Sequence, residues 1–146
     1  MELKYNDKEL SLYLAGMEFR GRNLTPLLLR LGALGKQAVE ENFEQQGRPR
    51  WQGLSEVTKR MRAKKGYTGP ILQVTGDLRD SVTISPPGLD SIDIGSNLEY
   101  AAIHQYGGRA GRGRKVNIPD RPFIHLEADD EEEMAETSML FLTTGF

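Results

Sequence analysis

The stretch from Thr25 to Phe43 constrains this chain more than any other, because Leu27, Leu31, Leu34 and Ala38 repeat at the spacing of one helical face. Thr25 is placed to cap such a helix. Pro26 suits its first turn, where a missing N–H costs nothing, and Gly47 ends it. A helix with one apolar stripe must lay that stripe on something, and at 146 residues the chain can bury roughly two thirds of its unfolded surface. One domain over residues 1–146, with a modest core, is the expectation, and neither an internal repeat nor a second boundary breaks it.

The segments around this helix alternate between helical and extended patterns. Glu2 to Asn6 reads as an edge strand, and Asp7 as the cap of a helix to about Arg20 with Leu10, Leu14 and Met17 on one face. Arg48-Pro49-Arg50-Trp51 is extended or turn-like, since the residue before proline is pushed out of the helical region. Ser55 opens a short helix with Glu56 in its first turn and Lys64 and Lys65 in its last, both matching the helix dipole, and Gly66 closes it. Ile71 to Val74 is a short apolar run, Thr75-Gly76-Asp77 a turn, and Leu78 to Val82 a helical turn or a lead into a strand.

Ser81–Ser85 and Ser91–Gly95 form a predicted hairpin around Pro86-Pro87-Gly88, with Val82/Ile84 and Ile92/Ile94 alternating with polar residues. Asn97 caps an expected helix from Leu98 to Tyr106, stopped by Gly107-Gly108. Residues 108–115 hold too much glycine and charge to pack and read as a mobile basic loop. Val116 to Ile118 returns as a strand, Pro119 to Pro122 is a rigid turn, and a last helix spans about Glu127 to Leu142. The class is α+β: a small antiparallel sheet packed with N-terminal helices and a C-terminal helix.

Composition removes several chemistries. The chain has no cysteine, which excludes disulfides, thiolate zinc sites and cysteine nucleophiles and fits a reducing cytoplasm. Neither a membrane span nor a secretory signal is expected from its short apolar runs and charged opening residues. The two histidines, His104 and His125, stand in no ligand spacing and read as half-buried imidazoles. Consecutive carboxylates from Asp129 to Glu133 point in different directions on a helix and do not converge on one ion. No nucleophile elbow, phosphate loop or dinucleotide fingerprint is present, since Gly107 to Lys115 lacks the ending that holds phosphate and magnesium. No cofactor, metal or catalytic residue is expected, and Trp51 reads as a packing anchor.

The net charge of −2 averages over segments of opposite sign. Gly47 to Asp80 carries eight Lys/Arg against three acids, and Glu127 to Glu136 carries seven acids and no base. Arg109, Arg112, Arg114, Lys115 and Arg121 make a third, basic block. Such segregation points to nucleic acid or to neighbours that match acid to base.

Three motifs follow in order: Leu72 to Ser81 as L-x-x-T-G-x-L-R-x-S, with Gly76 and Leu78 inside it; Tyr100-Ala101-x-x-His104-Gln105-Tyr106-Gly107; and Ile118-Pro119-x-Arg121-Pro122-Phe123. Together with Phe43, Gly47, Trp51, Leu54, Thr58 and Ile94-Gly95-Ser96, they resemble the phage virion morphogenesis family, the tail-completion or neck proteins of Mu-like tailed phages and prophages. The likeness is close over about residues 40 to 126. Asp120 departs from the small residue common there, and the loop Arg109 to Lys115 is unusually basic.

The resemblance implies a structural protein acting in tail completion and head–tail joining, found in the host cytoplasm during assembly and then in the tail or neck of the virion. It implies no enzyme activity. A ring of copies bound to head-connector or tail proteins is the expected assembly, near DNA in the channel and away from membranes. A closed ring needs unlike surfaces to meet. The expected contacts are the acidic helix start, Asp129, Asp130, Glu131, Glu132 and Glu133, against a basic segment, and Arg109, Arg112, Arg114 and Lys115 toward a partner or DNA. The rival reading is a nucleic-acid-binding protein using residues 48–65 and 109–115. A hydrolase built on His104 or His125 is the weakest alternative.

Overall fold

The computed structural model describes residues 8–146. The strand expected at Glu2 to Asn6 and the cap at Asp7 lie outside them. Helix α1 (Lys8–Gly21) precedes α2 (Thr25–Gln45), the long amphipathic helix. Thr25 is the first helical residue rather than the cap, and its amide is taken by Asn23 Oδ1 at 3.2 Å. The exit turn starts one residue before Gly47, at Gln46, which is left-handed and returns its N–H to Asn42 O.

Short elements follow: α3 (Glu56–Lys64), α4 (Asp77–Asp80), β1 (Val82–Ile84), β2 (Ile94–Ser96) and α5 (Ala101–Tyr106). Ser55 caps α3 as expected, its hydroxyl accepting from Thr58 N–H. Strands β1 and β2 pair antiparallel with Val82 opposite Ser96. Helix α5 begins later than Asn97 suggested, because the Ser96 hydroxyl takes the Leu98 amide and opens a separate turn before Ala101. The segment read as a glycine-rich loop runs instead as β3 (Gly108–Ala110) and a 3₁₀ turn (Arg112–Arg114), with β3 paired antiparallel to β4 (Val116–Ile118). The last helix, α6 (Ala128–Thr144), starts with a capping box in which Glu127 and Asp130 exchange bonds with each other's backbone. The result is α+β, with six α-helices and two two-stranded antiparallel sheets among the described residues.

The core is where α2, the β1–β2 hairpin and the C-terminal motif meet: Val39, Phe43, Trp51, Leu78, Val82, Ala101 and Phe123. Phe43 sits at its centre, with Trp51 edge-on at 5.7 Å and Phe123 at 5.5 Å. Each such side chain, fully buried, contributes about 1.5–3 kcal/mol. The hairpin lies close on α2 because Gly32 and Gly35 leave room for isoleucines. A Cβ at Gly32 would sit 2.7 Å from the Ile92 Cδ1, and one at Gly35 would run into Ile94.

Helix α1 departs from its predicted packing. It lies on α6, and Gly16, Met17 and Arg20 are its partly covered residues, while Leu10 and Leu14 remain about half exposed and Leu12 and Phe19 are 74% and 77% exposed. Arg20 holds it there, donating to Leu142 O and Thr143 O at 2.7 and 2.8 Å and so satisfying two of the last carbonyls of α6.

Candidate functional site

The three motifs converge on an open groove of about 780 Å³, lined by the Gln52–Ser55 turn, α3, the Ile71–Thr75 segment, Leu78, the start of α5 and β4. Arg121 ties these parts together. Its buried guanidinium donates to Gln52 O and Gly53 O at 3.0 and 3.3 Å, and its backbone N–H reaches His104 O at 2.7 Å. Burial lowers the pKa of this arginine, and neighbouring Asp120 opposes the shift. The His104 imidazole is likewise pushed below its ordinary value, first by burial and then by the charge of Arg121. Tyr100 meets its ring edge-on at 6.0 Å.

Two buried polar atoms on groove-lining residues have no hydrogen-bond partner, Arg62 Nε and His104 Nδ1. Arg62 otherwise donates from Nη2 to Gly69 O and Pro70 O, holding the loop that leads to Ile71. Most of the remaining lining is apolar: Leu54, Ile71, Leu72, Val74, Leu78 and Ile118 among others.

Behind the groove, Asn42 is fully buried on α2 and bonds three ways. Its amide donates to Phe123 O at 3.0 Å and His125 O at 2.8 Å, and its oxygen accepts from Arg48 Nε at 3.0 Å. Arg48 continues to both oxygens of Asp130, at 3.2 and 2.8 Å, and to Glu41 at 3.1 Å. Gln105 clamps the same strand of chain from the other side, its oxygen accepting from Phe123 N and Ile124 N and its amide donating to Ile124 O.

The predicted residues therefore separate into three groups. Trp51, Leu78 and Phe123 are core, and the Trp51 indole N–H bonds to Pro122 O at 3.0 Å. Tyr100, His104, Pro119 and Arg121 line the groove. Gly76 and Gly107 take positive φ, and a Cβ at Gly107 would stand 2.8 Å from Asp120 N, so the turn at Gly107 admits only glycine without displacement.

Of the acids expected to face a neighbour, Asp130 is engaged inside the chain by Arg48, whereas Asp129, Glu131, Glu132 and Glu133 are exposed on the first turns of α6. Arg109, Arg112, Arg114 and Lys115 are exposed on the β3–β4 hairpin. Asn42, Arg48 and Gln105 were not singled out as site residues from the sequence. A lone asparagine beside Val39 and Phe43 on an apolar face is the signal that marks such a buried bridge.

His125 lies 3.4 Å from Glu127 in a pair about 40% exposed, a surface contact. Among the described residues no group of three or more His, Asp or Glu is arranged to hold a metal, and no helix is long and apolar enough to cross a membrane.

Comparison with known proteins gives the same direction as the motifs. The chain is 37% identical over 131 residues to Mu-like prophage FluMu G protein 2 of Haemophilus influenzae, covering 90% of this chain and 87% of that one. It is 36% identical over 103 residues to the putative capsid assembly protein G of Escherichia phage Mu, covering 66% and 65%. FluMu G protein 1 of Haemophilus influenzae is 30% identical over 118 residues, covering 78% of this chain and 74% of the relative. No solved structure matches the chain. The phage virion morphogenesis family matches residues 5–142, nearly the whole length including the groove and both charged faces, and the chain belongs to that family.

Proposed function

We propose that this protein is a structural component of phage assembly that acts in tail completion and head–tail joining, as a ring of copies in contact with head-connector or tail proteins. The observation that carries this reading is the segregation of charge onto separate elements. Exposed acids crowd the first turns of α6, and exposed bases crowd α3 and the β3–β4 hairpin. Unlike surfaces on one protomer favour head-to-tail contact, which closes into a ring when the rotation allows. The name of the phage Mu relative, a putative capsid assembly protein, supports the same reading. Assembly takes place in the host cytoplasm and leaves the protein in the virion tail or neck, and no catalytic step belongs to the role.

Light scattering of the purified protein at low and high salt tests the reading. Oligomers that weaken as salt screens the charged contacts are expected. A monomer at every salt and concentration, alone and with its head or tail partners, overturns it. The concentration of Arg and Lys on two elements that line one groove favours nucleic-acid binding as the second reading. Filter binding at two salt concentrations separates them, since a protein built for phosphate contact binds tightly at low salt and loses affinity steeply as salt rises.

A further inference from the structure

We infer that the groove docks an extended, carboxylate-bearing segment of another polypeptide, added as a strand along the free edge of β4; the inference rests on the assembly reading above and names the partner chemistry of the groove. Three successive residues of β4, Val116, Asn117 and Ile118, all line the groove. Side chains alternate between the two faces of a strand, so three lining residues in a row bring the groove against the strand's backbone as well as its side chains. The other edge of β4 is occupied by β3, and among the described residues no further strand pairs with this sheet. An unpaired edge beside an apolar surface is the arrangement that strand addition uses: backbone bonds give affinity, and pockets for alternate side chains give selectivity.

Ile71, Leu72 and Leu78 offer those apolar contacts. The charge on the lining elements selects the occupant. Arg62 and Arg121 lie in the groove's own lining and no Asp or Glu does, while Lys59, Arg60, Lys64 and Lys65 stand elsewhere on α3 and its C-cap, and Arg109, Arg112, Arg114 and Lys115 on the hairpin outside the lining. The nearby acids are engaged or offset: Glu56 pairs with Lys59, Asp77 accepts from the Thr75 hydroxyl, and Asp120 stands against Arg121. Carboxylates on the incoming strand match that charge. A second copy does not supply such a strand from its acidic run, because Ala128 to Glu136 is helical in α6. The apolar lining holds a single exposed aromatic, Tyr100, which is a poor stacking platform for nucleic acid.

The probe is a fluorescent peptide of about eight alternating valine and glutamate residues, a usual strand length, titrated into the full-length protein. Binding is expected, with amide shifts centred on Val116 to Ile118. Affinity drops about tenfold or more when lysine replaces glutamate, when alternate peptide amides are N-methylated, and in Val116→Glu. Val116 is 55% exposed, so this variant keeps its fold, checked by circular dichroism. Equal binding of the lysine peptide, undiminished binding to Val116→Glu, or shifts elsewhere overturns the inference. So does displacement of the peptide by a thymidine oligonucleotide, or tighter binding of a peptide of residues 1–8, which makes the occupant nucleic acid or a second copy. Light scattering on the same samples reads self-assembly independently, so loss of the ring and loss of peptide binding are told apart.

Discussion

Replacing Asn42 with alanine tests whether one buried amide joins α2 to the C-terminal motif. The side chain is fully buried and its three bonds reach Phe123 O, His125 O and Arg48 Nε, residues up to 83 positions away. Alanine removes all three and leaves two carbonyls and part of a guanidinium in a space too apolar to hydrate them well. An orphaned buried group costs about 1–3 kcal/mol. His125 is partly exposed and its carbonyl can find water, and Arg48 keeps Asp130, so the sum falls at about 3–4 kcal/mol rather than at the upper limit.

A chain of this size holds on the order of 7–20 kcal/mol of stability, so the variant folds but with a margin visibly reduced. Urea unfolding followed by Trp51 fluorescence measures it, with an unchanged slope expected because the surface exposed on unfolding is the same. The thermal midpoint drops by about 10 °C. Trp51 reports locally as well, since its indole bonds to Pro122 O one residue before Phe123. A loss under about 1 kcal/mol refutes the reasoning, because it means that water satisfies those groups as well as Asn42 does.

Two further outcomes follow from the same network and from the groove. Arg48 and Asp130 are only 15% and 13% exposed, so Asp130→Ala, which removes the bidentate contact and the Asp130 half of the α6 capping box but leaves the guanidinium on Glu41, Asn42 and the Ala38 carbonyl, is expected to cost about 1–3 kcal/mol. In a double-mutant cycle with Arg48→Met the two losses combine to less than their sum, by about 1–3 kcal/mol; additivity shows that the pair carries no coupling. The His104 imidazole, lowered by burial and by Arg121, binds its proton less readily folded than unfolded. Stability contributed by this group is therefore full above its unfolded value near 6.5 and is lost as pH falls through the window beneath it. His104→Gln is expected to flatten the decline in unfolding free energy between neutral and mildly acidic pH, and an unchanged slope in the variant removes the claim.

Local signals were legible wherever the cause of structure is local. The stripe from Leu27 to Ala38 with Pro26 predicts α2, Ser55 predicts the start of α3, and the alternation around Val82 and Ile94 predicts a hairpin, because caps and periodicity act within one or two turns of chain. The ordered motifs also carried the family, including the residues that line the groove. What failed was each expectation that needed a distant partner. Leu10, Leu14 and Met17 read as one face, yet Leu10 and Leu14 stay about half exposed and Met17 is partly covered, while Arg20 fastens α1 to the end of α6. Gly108 to Lys115 read as loop, yet its first residues pair as β3 with β4 beyond a turn wedged against Asp120 at Gly107.

By itself the sequence determined the long helices, the hairpin, the capped helix starts and the separation of acid from base along the chain, since these depend on neighbours in sequence or on side-chain charge alone. Tertiary structure alone decided which charges remain free and where the motifs meet. Arg48 and Asp130, 82 residues apart, neutralise each other inside the fold, while Asp129 and Glu131 to Glu133 stay exposed. The groove exists because Arg121 pins the Gln52–Gly53 turn, α5 and β4 around one space. Contacts across such separations depend on how packed elements meet in three dimensions, and no periodicity within a single segment encodes that meeting.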